Sequence, residues 1–287
     1  MATQQTRLLA RVAVAPSVVM LFIWMIVPLL MTIWFSLNHY DLQDPGNFFF
    51  TGWLNYQYFL TDPAFLKAIA VTLILVGSVL AITVVGGILL ALLMDQPFFG
   101  QGIVRLMVLA PFFVMPTVSA LIWKNLFMNS DSGFFVWISQ TFHLPIVVWF
   151  TNYPLLSIII IVSWQWLPFA TLILLTAIQS LDEEQKEASQ LDGAPPLSFF
   201  FYIVLPHLSR AITVVILIET IFLLNTFAEI KVTTNGGPST SNLPYLVFST
   251  LQSSDVGGAS AGALVAVVLA NIVAFFLVRL IGKNLEA

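Results

Sequence analysis

The chain has 287 residues, 59% of them hydrophobic and only 8% charged, against roughly a quarter charged in an average soluble protein. Too few polar groups exist to cover a soluble monomer, so the bilayer must be the main solvent; this excludes a soluble enzyme, a nucleic-acid binder and a disordered scaffold. The net charge of −4 implies no polyanionic partner, and the absence of cysteine excludes disulfides, thiolate metal sites and cysteine nucleophiles.

A helix needs about 20 apolar residues to cross the hydrocarbon core. Six runs reach that length, at about residues 12–37, 68–94, 103–128, 155–181, 211–230 and 259–281. A transmembrane barrel shows short alternating segments instead. The sequence predicts an all-α polytopic membrane protein, one transmembrane domain over residues 1–287. The first run follows Arg7 and Arg11 and is too long for a signal-peptide core, so it is expected to be an uncleaved anchor. In the third run, Pro111 and Pro116 can supply kinks and free carbonyls, as can Pro168 in the fourth. The centre of the fourth run falls near Gln165, Trp166 and Phe169. His39, His143 and His207 lie far apart, so no metal site is expected and no cofactor is implied.

The connection between the fourth and fifth runs, about 182–206, is more organised than a plain loop. Ser180 with Glu183 three positions on fits a capping box, and the acidic first turn suits a helix start. Gly193 is a natural left-handed stop, after which Pro195 and Pro196 can open a second short helix, about 196–205, carrying Phe199, Phe200, Phe201 and Tyr202. The expectation is a two-helix loop outside the bilayer. A helix resting on lipid headgroups should be basic. This one has Asp182, Glu183, Glu184, Glu187 and Asp192 against Lys186 alone, which favours a protein partner. For each aromatic of residues 199–202, anchoring that partner and packing under the chain's own spans are both open.

The fifth run places Glu219 near its centre, and an ionisable group at that depth is a functional candidate. Helical spacing puts Glu219, Phe222 or Leu223, and Thr226 on one face, with Asn225 adjacent. Gln165, Trp166 and Phe169 make a comparable face on the fourth span. Carboxyl and amide groups beside rings suit a neutral polyhydroxylated ligand. For Gln165, Asn225 and Glu219, bonding between helices is the competing role. Before the last span, Gly258 and Gly262 have the spacing of close helix packing. With the N-terminus inside, seven basic residues (Arg7, Arg11, Arg105, Lys186, Arg210, Arg279, Lys283) face the cytoplasm and three (Lys67, Lys124, Lys231) face out, so both termini are expected in the cytoplasm.

One spacing carries a resemblance. Glu187-Ala188-Ser189, three residues, Gly193, nine residues, Ile203, one residue, Leu205-Pro206 resembles the signature loop of ABC-importer permease subunits, Glu-Ala-Ala-x3-Gly-x9-Ile-x-Leu-Pro, with Ser189 the one departure. Residues 116–124 with Gly133, residues 164–169, and residues 234–238 ending in Pro238 are similar to carbohydrate-importer (maltose-type) permeases. Residues 227–230, 242–245 and 255–257 look most like the mannitol/sorbitol polyol branch.

The resemblance implies a multi-pass subunit of a bacterial inner membrane, surrounded by lipid. It pairs with a second permease subunit and two ATP-binding subunits, and receives a polyol or sugar from an external, periplasmic substrate-binding protein. The chain lacks a Gly-x4-Gly-Lys-Ser/Thr phosphate loop, so ATP hydrolysis is expected on its partners and this subunit is not an enzyme. In the loop, Glu187 is the expected ion-pair or hydrogen-bond partner of the ATPase, and Asp192 a cap or second contact. Ala188 and Ser189 are small enough for close approach, Gly193 is a backbone requirement, and Ile203, Leu205 and Pro206 complete the pattern. The alternative is an ion-gradient-driven secondary transporter of a neutral polar solute, which needs repeats or a carboxylate relay. No repeat is visible, and Glu219 stands alone at depth.

Overall fold

The computed structural model describes residues 4–237 and 239–285; Pro238 of the 234–238 loop lies outside them. In chain order the elements are α1 (Gln4–Ser36), a hairpin of β1 (Asn38–His39) and β2 (Phe49–Phe50), α2 (Leu54–Thr61), α3 (Pro63–Asp95), α4 (Gln101–Leu109), α5 (Pro116–Ile122), α6 (Phe134–Thr141) and α7 (Trp149–Asn152). There follow α8 (Pro154–Gln179), α9 (Glu183–Leu191), α10 (Pro196–Phe199), α11 (Leu205–Leu223), α12 (Ala228–Thr233), α13 (Leu243–Gln252) and α14 (Val256–Leu285). Among the described residues five helices are long and apolar enough to cross a membrane, six if a bent pair counts as one span. The all-α polytopic expectation holds.

Two expected spans differ from their simple form. The third is broken into Gln101–Phe113 and Pro116–Phe127, which meet at 108°. Pro111 and Pro116 each lack an N–H, and between them Val114 and Met115 are extended at ψ 130° and 140°. The fifth starts earlier and ends sooner than hydropathy alone places it. Pro196–Leu223 is one run of 28 helical residues, so the expected second short helix is the first part of the span rather than a separate element. Pro206 does not interrupt it because a π-turn at residues 200–204 precedes it, with Leu205 N bonded to Phe200 O. That wider turn opens the ladder where the proline would press on the Tyr202 carbonyl and offer it no donor. About 20 residues suffice to cross the core, so this helix is about two turns longer than a crossing requires.

The chain divides into two compact units. In the first (Met1–Phe65 and Val247–Val268), α1 carries Val12, Met20, Leu21 and Trp24 exposed along its length, a surface suited to lipid. Asn55 Nδ2 donates to Ser36 O and Asn38 O, both at 2.9 Å, and holds α2 against the chain that leaves α1. Residues 40–42 pair with 254–256, and Asp255 Oδ1 accepts from Gly258 N at 2.8 Å to cap α14. A Cβ at Gly262 would run into the Phe59 ring, so the small residue permits the close packing its spacing predicts.

In the second unit (Leu66–Leu246 and Leu269–Ala287), α8 is the most buried span. Its residues Ala170, Leu174, Leu175 and Ile178 pack with Ile88, Ala91 and Met94 of α3 and with Leu208 and Val215 of α11. Lys124 Nζ donates to the Val232 and Thr233 carbonyls at 2.9 and 3.0 Å, closing the end of α12. The Thr226 carbonyl accepts from Asn242 Nδ2, and Leu243 N donates to Thr72 Oγ1 at 3.0 Å.

Candidate functional site

Two groups of residues carry the candidate chemistry, both in the second unit. The first is the elbow between α9 and α10. Asp182, not Ser180, is the N-cap of α9: its side chain accepts from Glu184 N. Ser180 ends α8 instead, with its hydroxyl bonded to Ala177 O at 2.7 Å and 3.2 Å from His207 Nε2, so the expected capping box does not form. Gly193 has φ +68°, the left-handed stop expected of it, and Asp192 occupies the C-cap before it.

The two arms of this elbow differ. Along α9 the Glu187 side chain is exposed and makes no hydrogen bond or ion pair among the described residues. The single salt bridge among them, Lys186 to Glu183 at 3.3 Å, is a surface pair of little worth. Ala188, Ser189 and Asp192 line a groove of about 600 Å³ with Tyr202, Ile203 and His207. On the second arm Phe199, Phe200, Ile203 and Leu205 pack on the core of α3, α8 and α11. Tyr202 is 81% exposed and Leu191 89%. The aromatics thus divide: Phe199 and Phe200 fasten the elbow to its own spans, Phe201 leans edge-on against Phe200 at 5.1 Å, and Tyr202 is the most exposed of the four. A partner seated here would cover unsupported apolar surface.

Gly193 offers a direct check. Gly193→Val forces a β-branched residue into the left-handed region at about 1–3 kcal/mol, and the arms should lose their fixed angle. Co-purification with ATP-binding subunits should weaken while membrane insertion persists, and Gly193→Asn should be milder.

The second group joins α8, α11 and the broken third span. Trp166 on α8 meets Phe222 on α11 (centroids 5.3 Å), Phe169 (5.8 Å) and Phe112 of the third span (5.8 Å), and Phe112 stacks on Phe169 at 5.6 Å. Phe222 is 58% exposed, so this aromatic face is open on one side. Asn225 is also exposed, its amide bonded to Ile221 O at 2.8 Å.

Glu219, Gln165 and Thr226 sit apart from that open face. Glu219 is 0% exposed and shares the buried side of α11 with Leu223 rather than with Phe222. Thr83 Oγ1 of α3 donates to Glu219 Oε2 at 2.6 Å, and Oε1 has no partner among the described residues. Gln165 Nε2 donates to Val114 O at 2.9 Å, at the break in the third span. Because α11 ends at Leu223, Thr226 is off the helix and does not continue the Glu219 face, contrary to the spacing argument. Glu219 is four residues from the end of its helix, not at its centre, yet it is level with Thr83 near the middle of α3. The helix centre expected of Glu219 thus belongs to its neighbour Thr83, not to its own span. Thr83 gives no signal in the sequence: it is one of three hydroxyl residues in a 33-residue helix and becomes meaningful only opposite a carboxyl.

A helical protein with five or six segments long and apolar enough to cross a bilayer, an exposed elbow between two of them and an aromatic face open on one side is a polytopic membrane protein. Residues 7–287 match the family described as binding-protein-dependent transport system inner membrane component, and the chain belongs to that family. It is 35% identical over 258 residues to a probable ABC transporter permease protein of Sinorhizobium fredii, covering 88% of this chain and 83% of that one. It is 29% identical over 284 residues to the trehalose transport system permease protein of Mycobacterium tuberculosis, covering 96% and 89%. A chain in the crystal structure of a bacterial alginate ABC transporter, in complex with an alginate pentasaccharide-bound periplasmic protein, has the same fold. The TM-score is 0.81 at 22% identity, over 96% of this chain and 94% of that one. This is a multi-pass inner-membrane permease subunit of an ABC importer, not an enzyme. Nothing in these matches supports a gradient-driven secondary transporter.

Proposed function

We propose that this chain, as a single permease domain, is one of two permease subunits lining the pathway of a carbohydrate importer, with a polyol of the mannitol or sorbitol kind as substrate. Residues 182–206 dock one of two ATP-binding subunits, and an external binding protein delivers the ligand. The observation that carries the docking is the continuity of the elbow with the fifth span. α9 is exposed, and beyond Gly193 the second arm runs as one helix to Leu223, beside Phe222. A displacement of α9 by an ATPase dimer therefore reaches the aromatic face through one glycine turn and one π-turn.

Trp166, Phe169, Phe222 and Asn225 line the pathway in this reading. Rings pack against the C–H faces of a polyhydroxylated ligand, and the Asn225 amide exchanges hydrogen bonds with its hydroxyls. Gln165, Glu219 and Thr226 lie behind them. Relatives named for trehalose and for trehalose/maltose transport support a carbohydrate, and residues 227–230, 242–245 and 255–257 support the polyol branch.

The test is uptake into proteoliposomes holding the permease pair with its ATP-binding subunits, offered mannitol, sorbitol, maltose and trehalose. Saturable uptake of the first two, driven by ATP, is expected. Uptake of disaccharides without competition from polyols overturns the polyol assignment. Failure of the permease to assemble with any ATP-binding subunit overturns the docking role. Orientation follows from the basic residues, seven against three. A reporter fused after Lys283 should be cytoplasmic, and one inserted at Asn47, in the exposed hairpin loop, should be external. The reverse result puts residues 182–206 on the wrong side for a motor.

A further inference from the structure

The break in the third span leaves a main-chain acceptor that its own helices do not satisfy. The helix restarting at Pro116 takes the Met115 carbonyl into its ladder, through Ser119 N at 2.9 Å, but not the Val114 carbonyl, whose residue is extended. In a protein solvated by lipid, such a carbonyl must find a donor within the protein. It finds one from another span: Gln165 Nε2, at 2.9 Å. A carbonyl only accepts, so the amide nitrogen must face Val114 and the amide oxygen must point away. Gln165 is 6% exposed, and its Oε1 has no partner among the described residues.

What this bond fixes lies beside it. Phe112 sits two residues before Val114, and its ring stacks on Phe169 at 23° and meets Trp166 edge-on at 74°. Gln165 and Trp166 are consecutive on α8, so one turn of that helix holds the backbone of the break and also receives the ring the break delivers. Without the bond, the two arms at 108° have two extended residues between them and no tie from α8 to their main chain.

We propose that Gln165 is a positioning residue for substrate selection: it latches the broken third span at Val114 so that Phe112 completes the aromatic face of Trp166, Phe169 and Phe222. It acts through Val114 rather than on the ligand, since its side chain is buried and its amide nitrogen is bonded to the main chain of the break. The inference rests on reading Trp166, Phe169 and Phe222 as pathway lining.

The test uses the assembled importer and two readouts. Gln165→Met keeps the length and apolar body of the side chain and removes the donor. Amide hydrogen exchange across residues 112–119 should rise at least tenfold, with no change in α8. KM for the transported polyol or sugar should rise several-fold, by a larger factor than kcat falls. Gln165→His, whose Nε2–H reaches a similar distance, should restore both. Unchanged exchange in Gln165→Met means that the latch does not hold the break, and the proposal fails. Raised exchange with an unaltered KM means that the latch exists but positions nothing the substrate meets, which also overturns it. The exchange measurement needs no substrate, so it judges the latch even if no carbohydrate is carried. The pathway reading is judged separately by Phe222→Ala, where an unchanged KM overturns that reading and the selection role with it, while the exchange result still decides the latch.

Discussion

Glu187→Lys should leave the subunit inserted and folded and abolish ATP-driven transport. The side chain is exposed on α9 and makes no hydrogen bond or ion pair among the described residues that its replacement could break, so the fold has little reason to respond. The docking reading places it against a foreign surface beside Ala188 and Ser189, whose small side chains allow close approach. Truncating one member of a buried, hydrogen-bonded charge pair costs about 2–5 kcal/mol of association. Reversal adds repulsion to that loss, so binding of the ATP-binding subunit should weaken by roughly a hundredfold or more. Glu187→Gln keeps the shape and part of the hydrogen bonding and should be intermediate. The decisive comparison pairs uptake with the amount of permease in the membrane. Wild-type uptake at normal abundance of Glu187→Lys would falsify the docking role, whereas loss of the protein itself would show that α9 serves folding.

How far the sequence led depends on which physics acts locally. Span count followed from length and hydropathy because lipid imposes one requirement on every crossing segment. Gly193 was legible because only a residue without Cβ enters the left-handed region freely. Ser180 was misassigned as a cap because Ser180 and Asp182 offer the same chemistry two residues apart. The choice fell to Asp182 when α8 continued to Gln179 and drew the Ser180 hydroxyl back to Ala177. The fifth span was displaced because hydropathy does not register that Pro196 can start a helix and a π-turn can carry it past Pro206. The candidate site was half legible. Trp166, Phe169 and Phe222 were named from depth and do come together, whereas Phe112 joins them from a span whose break re-aims it. Thr83 and Val114 were invisible, since one is an ordinary helix residue and the other acts through its main chain.

The Thr83–Glu219 pair should behave as a tie between α3 and α11, and its two halves should not be equivalent. Thr83→Val removes the single donor to a carboxyl that is fully covered by this chain. Leaving such a group unsatisfied costs about 1–3 kcal/mol or more. Glu219→Leu is gentler, because the Thr83 hydroxyl can turn to the Leu80 carbonyl, already 3.3 Å away, while the carboxyl has no second donor among the described residues. Replacing both by apolar residues of similar shape should be close to neutral, as buried pairs often are when removed together. The thermal midpoints of the assembled complex should therefore fall most in Thr83→Val and recover in the double variant. Complete coverage of Glu219 by its own chain also means that the second permease subunit need not supply its partner, so subunit assembly should survive in the double variant. Transport should return with stability. A double variant that is stable and assembled but does not transport would move the Glu219 carboxyl into the substrate pathway, exposed there in another conformation of the cycle. Equal midpoints for the two single variants would show that the bond to Thr83 is not what keeps the carboxyl buried.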